Sequence, residues 1–363
     1  MPEDAPRQIG TDGAARTPQS DAVRRAFTKQ AELCDGLGSP FTAVLCRLCA
    51  GRLDERTAVG ARVLAWPGEP IADALALRLA GGLHALVLGA RAPALAAAYP
   101  PHPLDPEQLW QAIAAALTEH ADRLLGALER HPQTNEVARS GILLPGFLTI
   151  ARATERSLAL LELGASAGLN LLWDRFHYRY GEREWGDGAA PVSLAPELRG
   201  RTPDLDAVVG VVARHGVDLA PVDVANADDR LRLRSYIWAD QRERLARLDG
   251  ALAIAQELAL RIDGGDAAEW LERALAARRE RVATVVFHSI VWHYAPRATQ
   301  QRIKDALQRA GASATADSPL AHLQFEGVAG RGAALLTLRQ WPPGSTRVLA
   351  DGDFHGRWLD WHR

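Results

Sequence analysis

The sequence predicts an α/β protein in which a helical N-terminal domain precedes a Rossmann-like, doubly wound sheet with an antiparallel C-terminal edge hairpin. Helical periodicity extends to about residue 154, and after it short apolar runs alternate with helical segments. The last two strand-like runs are joined by Pro-Pro-Gly-Ser, which suits a hairpin. We therefore expect a disordered tail at 1–20, a helical domain at 21–154 and a Rossmann-like domain at 155–363.

The N-terminal half is predicted to consist of helices separated by turns that contain Gly and Pro. The predicted helices span residues 21–37, 40–51, 71–88, 93–99, 106–129 and 135–154. Cys34, Cys46 and Cys49 all lie in this half, without a second Cys pair or a nearby His to complete a metal site. We expect them to be reduced thiols of the hydrophobic core.

The C-terminal half alternates strands with helices, as a parallel sheet requires. The predicted strands span residues 158–163, 191–196, 259–262, 282–287, 321–326, 333–341 and 346–350. The predicted helices span residues 169–176, 204–212, 227–257, 267–279 and 298–310. Residues 177–185 alternate aromatic and polar side chains, which indicates a small hairpin inserted after the first helix of this half.

The composition excludes several classes of partner. The formal net charge is −2, so no basic surface for nucleic acid or anionic lipid is expected. No apolar run approaches the roughly 18 residues of a membrane span, and the first residues are not a signal peptide. We expect a cytoplasmic protein that acts on a small molecule, without nucleic acid, membrane or metal. The sequence leaves its oligomeric state open.

The apolar run at 158–163 leads into Glu-Leu-Gly-Ala-Ser-Ala-Gly at 162–168 and then into the helix predicted at 169–176. This strand–turn–helix order is typical of the first unit of a nucleotide-binding domain. Gly164 permits a sharp turn, and Gly168 lets the start of the helix lie close to a ligand and to the strand. The free N–H groups at such a helix start favour polar or anionic ligand groups.

Two interpretations of this turn compete. Glu-x-Gly-x-x-x-Gly resembles the cofactor loop of S-adenosylmethionine-dependent methyltransferases, whereas Gly-Ala-Ser-Ala-Gly at 164–168 also matches the Gly-x-Ser-x-Gly nucleophile elbow of α/β-hydrolases. An elbow lies in mid-sheet, but here about 150 helical residues come before the first strand, and no oxyanion segment precedes the turn. Glu162 has a role only in the cofactor loop. His355 can complete a triad with Ser166, so the hydrolase alternative stays open.

Ligands of Rossmann-like sheets sit beyond the carboxyl ends of the strands, and the candidate residues were ranked on that basis. The loop supplies the cofactor-binding candidates Glu162, Gly164, Ala165, Ser166, Gly168 and Asn170. Glu197 follows the second predicted strand and is a candidate for the ribose hydroxyls, or else a surface acid paired with an Arg. Asp218 competes for the ribose, and Asp266 is a candidate for the adenine amino group or a helix N-cap.

Two further groups are candidates on the side of the methyl acceptor. His288 and Ser289 follow the strand at 282–287, where His288 can act as a general base or simply be satisfied within a loop. Polar residues begin the helix that leads into the first strand and are candidate substrate or lid residues: Thr134, Asn135, Glu136 and Arg139. Capping of the helix start explains some of these residues. Burying polar and charged side chains together costs free energy, however, unless they pair with one another or contact a ligand.

As an ordered set, several motifs resemble a bacterial family of unknown function, DUF2332. They are Gln133-Thr-Asn-Glu136-Val, the loop from Glu162 to Asn170, Glu197-Leu-Arg-Gly200, residues 216–223, Gly265-Asp266, Val286-Phe-His-Ser289 and His355-Gly-Arg-Trp358. The resemblance runs from about Phe27 to the C-terminus and implies a methyltransferase-type Rossmann-like second half. It implies no established activity.

The leading functional hypothesis is S-adenosylmethionine binding, with methyl transfer to a small or medium-sized acceptor. The alternatives are a serine hydrolase that uses Ser166, and a non-catalytic ligand-binding or assembly protein that kept the fold. No pair of residues in the sequence is an unambiguous acid–base pair, so whether the protein is an enzyme at all is an open question at this stage.

Overall fold

The computed structural model describes residues 17–362, so the part of the predicted tail at 1–16 lies outside the described residues. The rest of that tail is helical, because Thr17 caps the first helix by accepting a hydrogen bond from the N–H of Ser20. The chain divides into two compact units. One holds the residues up to Pro132 together with Trp238–Gln241, and the other holds Gln133–Ile237 and the chain from Arg242 onward.

The first unit is helical in its described residues, as the sequence predicts. Its helices are α1 (Pro18–Gly36), α2 (Pro40–Arg52), α3 (Ala58–Leu64), α4 (Leu75–Leu88), α5 (Pro93–Ala97), α6 (Pro106–Glu119) and α7 (Ala121–Leu128). The helix predicted at 106–129 is interrupted at His120. All three cysteines are free thiols buried in this core. Asp240 joins the unit by accepting a hydrogen bond from the N–H of Phe41 at 2.9 Å.

The second unit is built on a nine-stranded sheet with the order β5-β12-β11-β10-β9-β8-β1-β6-β7. Its strands are β1 (Ser157–Leu163), β5 (Glu197–Gly200), β6 (Val211–Asp218), β7 (Asp263–Gly264), β8 (Val282–Ser289), β9 (Leu320–Gly327), β10 (Ala334–Trp341), β11 (Ser345–Gly352) and β12 (Trp358–Trp361). A small second sheet holds β2 (His177–Tyr180), β3 (Arg183–Trp185) and β4 (Ser193–Leu194).

The helices of this unit are α8 (Ser140–Thr154), α9 (Ala227–Ser235), α10 (Arg242–Glu257), α11 (Ala267–Ala276) and α12 (Arg297–Ala312). Shorter 3-10 helices span Val137–Arg139, Leu169–Arg175 and Trp292–Tyr294. The α8 helix belongs to this unit although the sequence assigns it to the helical domain. Ile142 and Phe147 bury their side chains in the same core as β9 and β10, which is why the division falls before Gln133.

The direction of the strands defines where a ligand can enter. Strands β7, β6, β1, β8 and β9 are parallel, whereas β10, β11 and β12 continue the sheet in antiparallel pairs. From β1 the chain moves outward through β6 and β7, then returns to β8 on the other side of β1. Open α/β sheets bind ligands beyond the carboxyl ends of the strands at such a reversal. The α/β class, the helical N-terminal region and the antiparallel C-terminal strands are thereby confirmed.

Several predicted elements differ from the structure. The segment predicted as the second strand, 191–196, contributes only β4 of the small sheet. The neighbours of β1 are β6 and β8, and β6 was not predicted as a strand. The helix predicted at 204–212 is not formed, and its last two residues begin β6. The strand predicted at 259–262 is shifted to the short β7, and the helix predicted at 227–257 is divided in two. The helix predicted at 169–176 is a 3-10 helix.

Candidate functional site

A cavity of about 340 Å³ lies at the carboxyl ends of β1, β6 and β7. The turn after β1, the end of β6, the start of α11 and the segment after β8 form its walls. Among the lining residues are Gly164, Asp218, Leu219, Asp266, Tyr294 and Thr299. Its volume is within the range of about 300–1,000 Å³ that small-molecule sites occupy. Three residues chosen from the sequence as cofactor-binding candidates, Gly164, Asp218 and Asp266, thus line one cavity.

Asp218 lies beside the loop because β6 pairs with β1 in a register that sets Val217 opposite Leu163. One carboxylate oxygen, Oδ2, accepts a hydrogen bond from the N–H of Ser166 at 2.8 Å. The other, Oδ1, accepts one from the N–H of Ala220 at 2.9 Å. A carboxylate has about four acceptor positions, so each oxygen keeps capacity for a ligand hydroxyl.

Asp266 combines the two roles that the sequence leaves open for it. Its Oδ1 accepts hydrogen bonds from the N–H groups of Ala268 and Glu269, both at 3.0 Å, and so caps helix α11. Its Oδ2 accepts a longer hydrogen bond from the hydroxyl of Thr299, at 3.4 Å. Both Asp266 and Thr299 line the cavity, so capping does not remove the carboxylate from it.

Two exposed apolar side chains also line this cavity: Leu219, which the sequence did not single out, and Tyr294, which it places near the acceptor side only with little specificity. Leu219 is 82% exposed and Tyr294 is 74% exposed, which is unusual for large hydrophobic residues. The signal for Leu219 was present, because it directly follows the acid that ends β6. An exposed leucine and an exposed aromatic ring in one cavity offer apolar surface to a flat ligand group.

The turn after β1 is closely packed by the protein itself. Gly164 has φ +67°, and a Cβ there would overlap the side chain of Val291. Gly168 has φ +73°, and a Cβ there would overlap the δ-methyl of Ile262. The close approach that requires Gly168 is therefore to the chain's own Ile262, and the sequence-based expectation of a ligand at that glycine is not what the geometry shows.

We expect Gly168→Ala to lower the free energy of unfolding by about 1–3 kcal/mol more than Gly181→Ala does. Both glycines have positive φ, so both substitutions carry the left-handed backbone penalty, but a Cβ at Gly181 has nothing within 4 Å. Urea unfolding of the two variants measures the difference. Equal losses would show that the contact with Ile262 relaxes without cost.

Glu162 and Ser166 bring buried polar atoms to this turn. Oε2 of Glu162 and Oγ of Ser166 have no hydrogen-bond partner among the described residues. Burial raises the pKa of the Glu162 carboxyl well above its usual value, the nearby Asp218 charge adds to this, and Arg139 opposes it. Buried polar atoms without partners are rare in folded proteins and call for an explanation.

The remaining loop candidates hold the backbone of the turn. The amide oxygen of Asn135 accepts a hydrogen bond from the N–H of Leu169 at 2.9 Å. The hydroxyl of Ser140 donates to the amide oxygen of Asn170 at 2.8 Å. Ala165 is fully buried, and its N–H donates to the carbonyl of Val217 at 3.0 Å. These residues hold the loop in place through hydrogen bonds. They are absent from the described lining of the cavity.

Among the candidate substrate or lid residues, Glu136 is the one whose carboxylate is buried close to basic side chains. Its side chain is 3% exposed and lies 2.7 Å from Nε of Arg244 and 3.8 Å from Nδ1 of His355. Burial acts to raise the pKa of Glu136, but Arg244, His355 and Arg139 outweigh it and lower the pKa to about 2. Glu136 is therefore an anion held inside the unit by cations.

Arg139 links this cluster to the strand ends, whereas Thr134 is exposed. Nε of Arg139 donates to the carbonyl of Phe354 at 2.9 Å, and Nη1 donates to the carbonyl of Ser289 at 3.1 Å. Thr134 belongs to the same segment but its side chain faces solvent. Neither residue is part of the described lining of the cavity.

His288 and Ser289 end β8 but do not line the cavity at Gly164 and Asp218. His288 is fully buried, with Nδ1 2.6 Å from Oε1 of Glu326 and Nε2 3.0 Å from Nε2 of His322. Both partners come from β9, so the hydrogen bonds of His288 are satisfied within the protein. This is the second of the two roles that the sequence allows for His288. A general-base role for His288 at this cavity has no geometric support.

A family described as uncharacterized protein conserved in bacteria (DUF2332) matches residues 24–361. The chain belongs to this family. No curated protein and no solved structure matches it. The family relationship covers nearly all of both units and comes without an activity, so the function of this DUF2332 chain has to be argued from its own site.

Glu197 lies far from the cavity of this DUF2332 chain. It begins β5 at one edge of the large sheet, whereas β6 and β7 are at the other edge. Its carboxylate is exposed and forms an ion pair with Nε of Arg199 at 2.8 Å. The sequence places Glu197 after the neighbour of β1 because the inserted hairpin and β4 look like a strand of the main sheet. The pairing of β6 with β1 corrects this prediction: Asp218, not Glu197, follows the strand beside β1.

Two searches for other site types were negative within residues 17–362. No group of three or more His, Cys, Asp or Glu side chains in this range is arranged to hold a metal ion. None of the helices described there has the length and apolar character needed to cross a membrane.

Proposed function

We propose that this protein binds S-adenosylmethionine in the cavity beside Gly164 and transfers its methyl group to a small or medium-sized acceptor. The observation that carries the proposal is that the turn after the central strand, Asp218 after its neighbour and Asp266 after the next strand all line one cavity. The parallel order β7-β6-β1-β8-β9, with its reversal at β1, supports the assignment of a Rossmann-like, methyltransferase-type sheet. The hairpin of β10 and β11 is antiparallel as expected, but it is not the edge of the sheet, because β12 and β5 continue beyond it.

The residues of the cavity fit the adenosine half of this cofactor. Asp218 keeps acceptor positions for the two ribose hydroxyls, and Oδ2 of Asp266 can accept from the adenine amino group. Leu219 and Tyr294 offer exposed apolar surface to the faces of the adenine ring. Val291 covers Gly164, so the ring and ribose are accommodated beside the glycine rather than above it.

The amino-acid end of the cofactor has a separate set of candidate partners. The unpartnered Oε2 of Glu162 and Oγ of Ser166 are buried beneath the turn, outside the described lining of the cavity, so they meet a ligand only where its amino-acid end reaches past that lining. Burial raises the pKa of the Glu162 carboxyl, which favours its protonated, hydrogen-bond-donating form. When bound, S-adenosylmethionine supplies an electrophilic methyl group on its sulfonium. The residues of this chain contribute orientation and exclusion of water, and orientation alone lowers a barrier by about 7–11 kcal/mol in favourable cases.

Calorimetric titration with S-adenosylhomocysteine tests the proposal. We expect wild-type protein to bind, and Tyr294→Ala to bind about five- to a hundredfold more weakly, because stacking on an aromatic ring contributes about 1–3 kcal/mol per base. Tyr294 is exposed, so its removal leaves the fold intact.

The matched control is Val348→Ala, which shortens an exposed apolar side chain on β11, outside the described lining of the cavity. Its affinity should equal that of wild type. Absence of binding by the wild type, or the same dissociation constant for Tyr294→Ala, would contradict the proposal. Binding without methyl transfer to any acceptor would support the non-catalytic alternative.

The hydrolase alternative is disfavoured by the surroundings of Ser166. Its hydroxyl has no hydrogen-bond partner among the described residues, so neither His355 nor another described histidine is hydrogen-bonded to it. An activated serine requires a base within hydrogen-bonding reach. A fluorophosphonate probe should therefore leave the protein unlabelled. Labelling that disappears in Ser166→Ala would establish the hydrolase instead.

A further inference from the structure

A second cavity, of about 410 Å³, lies between helix α12 and the antiparallel part of the sheet. Its lining includes Lys304, His322, Glu326, Thr337, Arg339 and Trp341. Alternate residues of β9 and of β10 face it, since side chains of a strand point to opposite sides in turn. The register between the two strands sets His322 directly opposite Arg339. The function proposed above does not use this cavity.

A chain of hydrogen bonds ends at His322. Oε1 of Glu326 is 2.6 Å from Nδ1 of His288, and Nε2 of His288 is 3.0 Å from Nε2 of His322. The Glu326 carboxylate also accepts from the N–H groups of Val291 and Trp292, so three of its about four acceptor positions are in use.

The sequence of contacts from Glu326 through His288 to His322 decides which imidazole nitrogens carry a proton. When His288 is neutral, the Glu326 carboxylate accepts from Nδ1–H of His288, so Nε2 of His288 is an acceptor and Nε2–H of His322 is its donor. In that tautomer Nδ1 of His322 carries a lone pair, and none of the described residues hydrogen-bonds to it. Burial lowers the pKa of His322 well below its usual value, which keeps His322 neutral.

Two cations stand in the wall of the same cavity. The guanidinium of Arg339 lies 4.5 Å from the ring centre of Trp341, and Nη2 donates to Oε1 of Gln308 at 2.9 Å. Nε of Arg339 is buried without a hydrogen-bond acceptor among the described residues. The ammonium of Lys304 lies 5.7 Å from the ring centre of Trp292. An anion in the cavity would interact with the guanidinium charge of Arg339 and with the ammonium of Lys304.

We propose that this cavity binds a phosphate monoester, with its phosphate between Arg339 and Lys304 and a P–OH group donating to Nδ1 of His322. A phosphate monoester has a second pKa of about 6, so its monoanion both accepts from a cation and donates to a neutral histidine. Carboxylates and sulfate esters accept equally well but have no proton to donate near neutral pH. Trp292 and Trp341 line the cavity and offer aromatic surface to an organic group on the ester.

Calorimetric titration at pH 5 with phenyl phosphate and phenyl sulfate tests this assignment, because at that pH both esters carry mainly a single negative charge and differ in the P–OH donor. We expect phenyl phosphate to bind at least about tenfold more tightly than phenyl sulfate, because one charge-assisted hydrogen bond contributes about 1.5–3 kcal/mol. In His322→Leu this preference should vanish. Arg339→Gln should weaken phenyl phosphate by at least about tenfold, for the same reason.

Arg347→Gln is the matched control, because Arg347 is a neighbouring cation on β11 that donates to Gln340 and is outside the described lining. The ligand comparison needs only the wild type, so it decides the matter even if a variant fails to fold. No binding of phenyl phosphate, equal binding of the two esters, or an equal loss in Arg347→Gln would overturn the assignment.

Discussion

Glu136→Gln should lower the free energy of unfolding by about 3–5 kcal/mol at neutral pH, the largest loss that we expect from any single substitution of this site. Glu136 is buried and anionic, and Arg244 lies 2.7 Å from its carboxylate. The glutamine has nearly the same shape but no charge. It therefore removes the buried anion that lies beside Arg244 and interacts with Arg139.

The pH dependence of this contribution has a definite sign. Because Arg244 and its neighbours lower the pKa of Glu136 to about 2 in the folded protein, its stabilisation is complete above the unfolded value near 4.5. The stabilisation is lost as the pH falls from there toward 2. The difference in stability between wild type and Glu136→Gln should therefore shrink across this interval.

Urea unfolding of both proteins at pH 7 and at several values down to pH 3 measures the effect. Glu197→Gln is the matched control, because Glu197 is also paired with an arginine but is exposed. We expect it to change stability by less than about 1 kcal/mol, as surface ion pairs do. If both substitutions lowered the free energy of unfolding by the same small amount, burial of the Glu136 ion pair would contribute nothing measurable to stability.

The central strand and its turn could be predicted because their signals are local. An apolar run of strand length and a turn rich in small residues indicate both β1 and the position of Gly164. The same holds for β8, which is β-branched and buried. The neighbouring β6 was missed because Arg214 and His215 interrupt its apolar pattern, and only its pairing with β1 makes it a strand.

The acids of the cavity show where sequence reasoning fails. Glu197 follows a predicted strand, whereas no strand is predicted before Asp218, so the local pattern favours Glu197. The choice depends on which strand lies beside β1, and the small sheet inserted between β1 and β6 conceals this. Asp266 was easier, because the helix that it caps begins directly after the acid.

Side-chain partners from distant strands were beyond prediction. His288 was placed at the correct end of β8, but its partners Glu326 and His322 lie 38 and 34 residues away in sequence. No local pattern reports such a contact. The position of α8 is a similar case, because an apolar helix can pack in either unit and only the fold decides.

Glu162→Gln should have the opposite effect on stability from Glu136→Gln. Burial raises the pKa of Glu162 above its unfolded value, so the folded protein holds a proton there that the unfolded chain releases. Stability linked to this group is complete at a pH below the unfolded value and is lost as the pH rises through the folded value. Glutamine stays neutral at every pH and avoids this loss.

We therefore expect Glu162→Gln to raise the free energy of unfolding at pH 8 by about 1–3 kcal/mol, which is the range for a buried polar atom without a partner. At pH 4 the two proteins should be equally stable. Thermal and urea unfolding at both values measure this, and Glu182→Gln, an exposed acid, is the control that should show no change. A loss of stability at pH 8 would mean that Glu162 has partners that compensate its charge.

The gain in stability should be accompanied by a loss of function. A buried acid without a partner is a cost to the folded protein, and such costs are commonly retained at sites that bind a ligand. If Oε2 of Glu162 contacts the cofactor, Glu162→Gln should bind S-adenosylhomocysteine about tenfold more weakly although it is more stable. A variant that is more stable and binds as well as wild type would remove Glu162 from the ligand site and leave only Asp218, Asp266 and the apolar walls to hold the adenosine.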